Sequence, residues 1–260
     1  MQPADVRVEQ QLAWIEFGDP AQRNVLDEPV LQGLIAALQQ AEAAGARVVV
    51  LAGRGDAWSA GYDVARIPAD LFATDPGVVA AHPFERCMRA IAELPVPVIA
   101  ALRGVVFGGA LELAISCDLR LACAGTQFGF TPARLGIVYS HTGLTKLTRL
   151  LGPAPARLLA FTGRTIGAAE ACRIGLVHDV LTDEAFASGV RGLADEIAGA
   201  APLAVQGMKR ILSIVERGTP VSADDVRAIL RLRHAAFASA DFAEGRRAFA
   251  EKRPPRFEGR

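Results

Sequence analysis

Residues 105–117, VVFGGALELAISC, run from a short apolar strand through two adjacent glycines into a helix-forming stretch. The first N–H groups of a helix have no partner inside the helix, and its dipole adds positive charge at that end. Gly108 and Gly109 therefore mark a point where negative charge is welcome. A second glycine turn, WSAGYDV at 58–64, follows ARVVVLAG at 46–53, a short apolar run typical of a buried strand. The same pattern recurs at PVIAAL (97–102) and DLRLACA (118–124).

Working outward, VRVEQQLAWIEF at 6–17 alternates as two strands with a turn between them. DEPVLQGLIAALQQAEAAG at 27–45 places Leu31, Leu34, Ile35 and Leu38 at helical spacing, with Asp27 as N-cap, Pro29 in the first turn and Gly45 as the stop. Strands alternating with helices predict an α/β layer structure over residues 1–202. From 203 to 260 the pattern is helical, with amphipathic stretches at 203–216, 222–238 and 241–251. Leu230, Leu232, Phe237, Phe242 and Phe249 exceed what such an appendage can bury alone, so it packs on the core or on another subunit.

Composition narrows the class. Of 260 residues, 51% are hydrophobic, and 28 Lys+Arg balance 28 Asp+Glu. That neutrality removes the electrostatic footprint of a nucleic-acid binder. No apolar run is long enough to span a membrane without a charge, and the first residues lack a signal-peptide core, so a cytoplasmic protein is expected. Cys87, Cys117, Cys123 and Cys172 show neither CxxC pairing nor partner histidines at ligand spacing, which predicts no metal site and no disulfide framework.

The two glycine turns, in this order, resemble the crotonase superfamily of enoyl-CoA hydratases and isomerases. The resemblance extends through RNVLDEPVLQGLIAAL (23–38), LTRLLG (147–152), GRTIGAAEACRIGLVHDVL (163–181) and EGRRAFAEKRPPRF (244–257). It implies a crotonase/ClpP-like ββα spiral core with a C-terminal helical trimerisation region, assembled as a homotrimer or a dimer of trimers. It also implies an acyl-CoA substrate whose thioester oxygen is received by the N–H groups of Tyr62 and Gly109 as an enolate develops. One such donor is worth about 2.7–4 kcal/mol to the transition state. Beyond the substrate's coenzyme A no cofactor is implied, because the thioester is the electron sink.

Hydratases of this superfamily hold water with two glutamates. Glu112 stands at the first position, but FGFTPARLGIVYS at 128–140 places Pro132 at the second, and no Asp or Glu lies between Asp118 and Glu170. A substrate that brings its own carboxylate suits such a pocket, since a second carboxylate at 4 Å would oppose it by roughly 4 kcal/mol at an effective dielectric near 20. SAGYD, FGGALEL and FTPARLGIVYS are most similar to the superfamily members that decarboxylate methylmalonyl-CoA. That likeness carries over Thr131 and Tyr139 as substrate contacts beside Gly109 and Glu112. Those relatives have His where this chain has Tyr62.

The chain uses Phe twelve times and Tyr twice, and both tyrosines, Tyr62 and Tyr139, fall in the proposed pocket loops. A buried phenol normally finds a polar partner. Glu112 is open to two readings, a reacting acid or a first-turn carboxylate that complements the helix dipole. Decarboxylation is the expected reaction; hydration or isomerisation through Glu112, or acyl-CoA binding without catalysis, are the alternatives. For coenzyme A, the resemblance implies Arg23, Ala60, Asp63, Phe249 and Lys252. His141 has a suitable intrinsic pKa for proton transfer but is not assigned a role.

Overall fold

The computed structural model describes residues 2–63 and 81–260. The last residue of the WSAGYDV motif lies outside them. β1 (Ala4–Glu9) and β2 (Leu12–Phe17) form an antiparallel hairpin, which continues as a parallel sheet through β3 (Val48–Gly53), β4 (Val98–Leu102), β6 (Leu119–Cys123) and β9 (Asp179–Leu181). A second sheet has the order β5 (Val105–Phe107), β7 (Gln127–Gly129) and β8 (Thr165–Gly167). The α/β class expected from strands alternating with helices is the class these sheets and helices form.

Strand alternation sorts the core into two layers. Val49, Leu51, Val98, Ala100 and Leu102 face α1 (Glu28–Ala43), α2 (Pro83–Glu93) and α3 (Gly109–Ser116), against Leu31, Leu34, Met88, Ile91 and Leu111. Val48, Val50, Ile99 and Ala101 face α7 (Asp183–Ala198), against Phe186, Val190 and Ala194. A strand buried on both faces must be apolar at every position, which is why these stretches read as continuous runs. α1 starts as its sequence predicts: the Asp27 carboxylate accepts from the Val30 N–H at 3.0 Å, and Pro29 sits in the first turn. A cap of this kind contributes about 1 kcal/mol.

Between the layers the chain continues through α4 (His141–Leu151), α5 (Pro153–Thr162) and α6 (Ala168–Arg173). α8 (Pro202–Val215), α9 (Ala223–Phe237) and α10 (Ala240–Glu251) follow, within a residue or two of the predicted helices. Met208, Leu212 and Val215 on α8, and Leu230 and Phe237 on α9, are exposed. The last residues turn back onto α10. Glu258 and Gly259 donate their N–H groups to the buried Asp241 carboxylate at 2.7 and 2.8 Å, and Arg253 donates to Glu244 at 2.7 Å. Among the described residues no helix is long and apolar enough to cross a membrane.

Candidate active site

The two glycine turns meet. Residues 58–62 lie between the Leu26 segment and β5: Leu26 N–H donates to the Gly61 carbonyl at 2.8 Å, and Ser59 N–H donates to the Val105 carbonyl at 3.0 Å. Gly61 and Gly108 both have positive φ, +109° and +53°. A side chain at Gly61 would come within 2.6 Å of the Phe107 carbonyl oxygen, so only glycine allows this approach. A Cβ on Gly109 would lie 3.3 Å from the Tyr62 nitrogen, and one on Gly61 would lie 3.5 Å from the Gly109 nitrogen. Neither Tyr62 nor Gly109 donates its N–H to a main-chain carbonyl among the described residues. Two neighbouring free amides, one at the start of α3, can receive a single anionic oxygen.

The first turn of α2 walls this space, a feature that sequence reasoning missed. Phe84 meets the Tyr62 ring edge-on at 5.6 Å, and its Cε2 would be 3.0 Å from a Cβ on Gly109. The His82 Nδ1 accepts from the Phe84 N–H at 3.2 Å and so caps the helix. That bond leaves the proton of the neutral ring on Nε2, which lies 3.2 Å from the Tyr62 hydroxyl and therefore donates to it. HPFE reads locally as a helix start, but nothing in it announces the contact with Tyr62.

Glu112, one turn into α3, is buried. Its Oε1 accepts from Lys146 Nζ of α4 at 3.3 Å; Lys146 also donates to Ser116 Oγ at 2.9 Å. Its Oε2 and the Tyr139 hydroxyl are both buried and neither forms a well-aligned hydrogen bond among the described residues, but they lie close enough for the phenol to ease ionisation of Glu112. They share the space opened by Gly143, where a Cβ would lie 2.5 Å from Glu112 Oε2 and 2.4 Å from Tyr139 Cε1. Burial raises the Glu112 pKa, and the Lys146 cation opposes that rise. The Tyr139 hydroxyl is held well above its ordinary value by burial and then by the charge of Glu112, so it stays a neutral donor.

The rest of the pocket loop agrees with this polarity. Pro132 is buried, and Tyr139 packs edge-on against Phe130 at 4.8 Å. The Thr131 hydroxyl oxygen would be 3.3 Å from a Cβ on Gly108, and it does not cap the turn Pro132–Leu135 that follows. The stretch between Asp118 and Glu170 supplies no carboxylate, but Glu85 of α2 accepts from the Thr142 hydroxyl at 3.3 Å. Helix packing, not chain proximity, delivers it.

The remaining candidates are spread more widely. Arg23 is exposed, and its carbonyl accepts from the Ala60 N–H at 2.9 Å, which ties both to the base of the Tyr62 turn; Asp63 follows that turn. Phe249 is 89% exposed, and Lys252 caps α10. No hydrogen bond, ion pair or ring contact among the described residues joins Phe249 or Lys252 to Tyr62, Gly109, Glu112, Thr131 or Tyr139. Part of the basic ending is internal, since Arg247 and Arg253 both pair with Glu244. His141 is exposed at the start of α4. The serines are engaged: Ser59 Oγ accepts from Gly61 N–H, Ser116 Oγ donates to the Glu112 carbonyl, and Ser140 Oγ caps α4.

The enoyl-CoA hydratase/isomerase family model matches residues 7–260. The chain belongs to the enoyl-CoA hydratase/isomerase family. Within this crotonase family it is 31% identical to the methylmalonyl-CoA decarboxylase of Escherichia coli over 250 residues, 95% of each chain. An enoyl-CoA hydratase/carnithine racemase from Magnetospirillum magneticum superposes with a TM-score of 0.90 at 31% identity, covering 100% of this chain and 97% of that one. A methylmalonyl-CoA decarboxylase complexed with 2S-carboxypropyl CoA superposes with a TM-score of 0.79 at 30% identity, covering 100% and 99%. The crotonase architecture expected from the glycine turns is therefore the architecture of this enoyl-CoA hydratase/isomerase family chain, and acyl-CoA chemistry is its family's chemistry.

Proposed function

We propose that the protein decarboxylates a 2-carboxyacyl-CoA, methylmalonyl-CoA or a close homologue. The observation that carries this reading is the Tyr139 hydroxyl, a buried neutral donor beside Glu112 that forms no well-aligned hydrogen bond, in a loop whose second-glutamate position is Pro132. A neutral donor attracts a substrate carboxylate where a second glutamate would repel it. Tyr139 and Thr131 orient that carboxylate with its C–C bond perpendicular to the thioester plane. The bond breaks, its electron pair moves to the thioester oxygen held by the Tyr62 and Gly109 N–H groups, and carbon dioxide leaves. Glu112, kept protonated to higher pH by burial, returns a proton to the enolate carbon, and the half-buried Lys146 ammonium holds its other oxygen.

A protonated Glu112 does not repel the departing carboxylate, and the Lys146 cation offsets its charge once the proton has been given up. The reading is supported by the relative that bears the decarboxylase name and by the neighbour that holds a carboxylated CoA derivative. The free Oε2 of Glu112 favours a second reading, hydration or isomerisation of an enoyl-CoA with Glu112 as the acid and base. Purified protein supplied in parallel with methylmalonyl-CoA and crotonyl-CoA should release carbon dioxide from the first much faster than it consumes the enoyl chromophore of the second. Rapid crotonyl-CoA hydration without carbon dioxide release replaces the first reading with the second.

In this proposal Arg23, Ala60, Asp63, Phe249 and Lys252 serve coenzyme A, and the exposed apolar side chains of α8 and α9 are covered in a trimer or a dimer of trimers. Light scattering should return three or six times the mass of one chain; a monomer at micromolar concentration excludes the assembly.

A further inference from the structure

Around Tyr139, three short hydrogen bonds form a directed chain. Ser140 Oγ accepts from the Gly143 N–H at 3.1 Å and lies 2.9 Å from Thr142 Oγ1, which in turn lies 3.3 and 3.4 Å from the two oxygens of Glu85. A carboxylate only accepts, so Thr142 must spend its one proton on Glu85. Thr142 then accepts from Ser140, and every hydroxyl in the chain has a fixed direction. The end of the chain opposite Glu85 adjoins the reacting groups. Ser140 follows Tyr139, and Gly143 is the residue whose missing side chain admits the Tyr139 ring and Glu112 Oε2.

We propose that Glu85 is a positioning residue of this site: its carboxylate ends the chain that fixes Tyr139 beside Glu112, and it supplies from α2 a negative charge that the pocket loop lacks. The inference rests on the proposed roles of Tyr139 and Glu112 and not on the choice between decarboxylation and hydration. Glu112 is faced by Lys146 from α4, Tyr139 from the loop, and Glu85 from α2. Lys146 favours ionised Glu112, whereas Glu85 favours the protonated acid and, by the same repulsion, the neutral Tyr139 phenol.

Four variants separate position from charge. Thr142→Val breaks the chain with no change in charge, and Thr142→Ser restores it. Glu85→Gln keeps an oxygen acceptor for Thr142 and removes the charge, and Glu85→Ala removes both. The ratio of variant to native rates is measured across pH with methylmalonyl-CoA and with crotonyl-CoA, so the substrate preference of the native protein and the effect of Glu85 are read separately. We expect Thr142→Val to lower kcat about tenfold with KM unchanged, and Thr142→Ser to recover most of the loss. In Glu85→Gln the ionisation of Glu112 should move to lower pH, since loss of a nearby negative charge eases loss of the proton; in Thr142→Val it should stay in place. The 13C carboxyl resonance of Glu112, assigned with Glu112→Gln, reports the same movement without turnover. Full activity of Thr142→Val, or a Glu112 titration unmoved in Glu85→Gln, overturns the proposal.

Discussion

Gly109→Ala is expected to lower kcat by roughly 10²–10³, the value of one oxyanion donor, while the protein folds and binds CoA thioesters nearly as before. The added methyl would stand 3.3 Å from the Tyr62 nitrogen and 3.1 Å from Tyr62 Cβ, in the space between the two free amides. An enolate oxygen must come close to both nitrogens at once, so a methyl there excludes the transition state more strongly than the flatter, less charged ground state. Stability changes little because Gly109 does not have positive φ and opens α3, where alanine is a good residue. The methyl would also stand 3.0 Å from the edge of the Phe84 ring, so Phe84 and Tyr62 must each give by a few tenths of an ångström. Gly61 is the wrong place for this test, since its side chain would meet a carbonyl oxygen and distort the turn itself. Rates, thermal melts and calorimetric binding of a nonreactive CoA thioether, measured together, decide the matter. A kcat within tenfold of native, with affinity retained, removes the two amides from the mechanism.

The parts of this molecule legible in its sequence are those fixed by local rules. Asp27, Pro29 and the spacing of Leu31, Leu34 and Leu38 define α1 within a few residues of one another, and VVVLAG can hardly be anything but a doubly buried strand. Gly61 and Gly108 are legible because positive φ, and at Gly61 close backbone approach, favour glycine over every other residue type. What stayed hidden depends on side chains that meet across packed elements. Lys146 reaches Glu112 from α4, His82 and Phe84 reach Tyr62 from α2, and Glu85 reaches Thr142 from the same turn. A count of acids along the loop could not find Glu85, because α2 enters the site by packing on α1 and α3. The pairing within the basic ending was hidden for a related reason. Arg247 and Arg253 serve Glu244, so a charge run at a terminus here holds its own helix and tail together.

Tyr139→Phe is expected to reduce decarboxylation about 10- to 150-fold, the range of a hydrogen bond to a charged group, with CoA affinity little altered. The ring stays, so its edge-on contact with Phe130 at 4.8 Å and its place over Gly143 are kept. What is lost is a hydroxyl that the protein buries without a well-aligned hydrogen bond. In the absence of substrate such a group costs desolvation free energy, and its removal should leave stability unchanged or raise it by about 1 kcal/mol. Most changes at buried positions lose activity and stability together; this one should separate them, because the hydroxyl is held ready for a partner that only the substrate brings. The separation also distinguishes the two proposed reactions. Methylmalonyl-CoA sets an anion against the phenol, whereas crotonyl-CoA sets none there, so hydration should fall much less than decarboxylation. Equal losses with both thioesters, accompanied by a lower melting temperature, would mean that Tyr139 serves chiefly to brace Glu112, and the carboxylate-binding role would have to be given up.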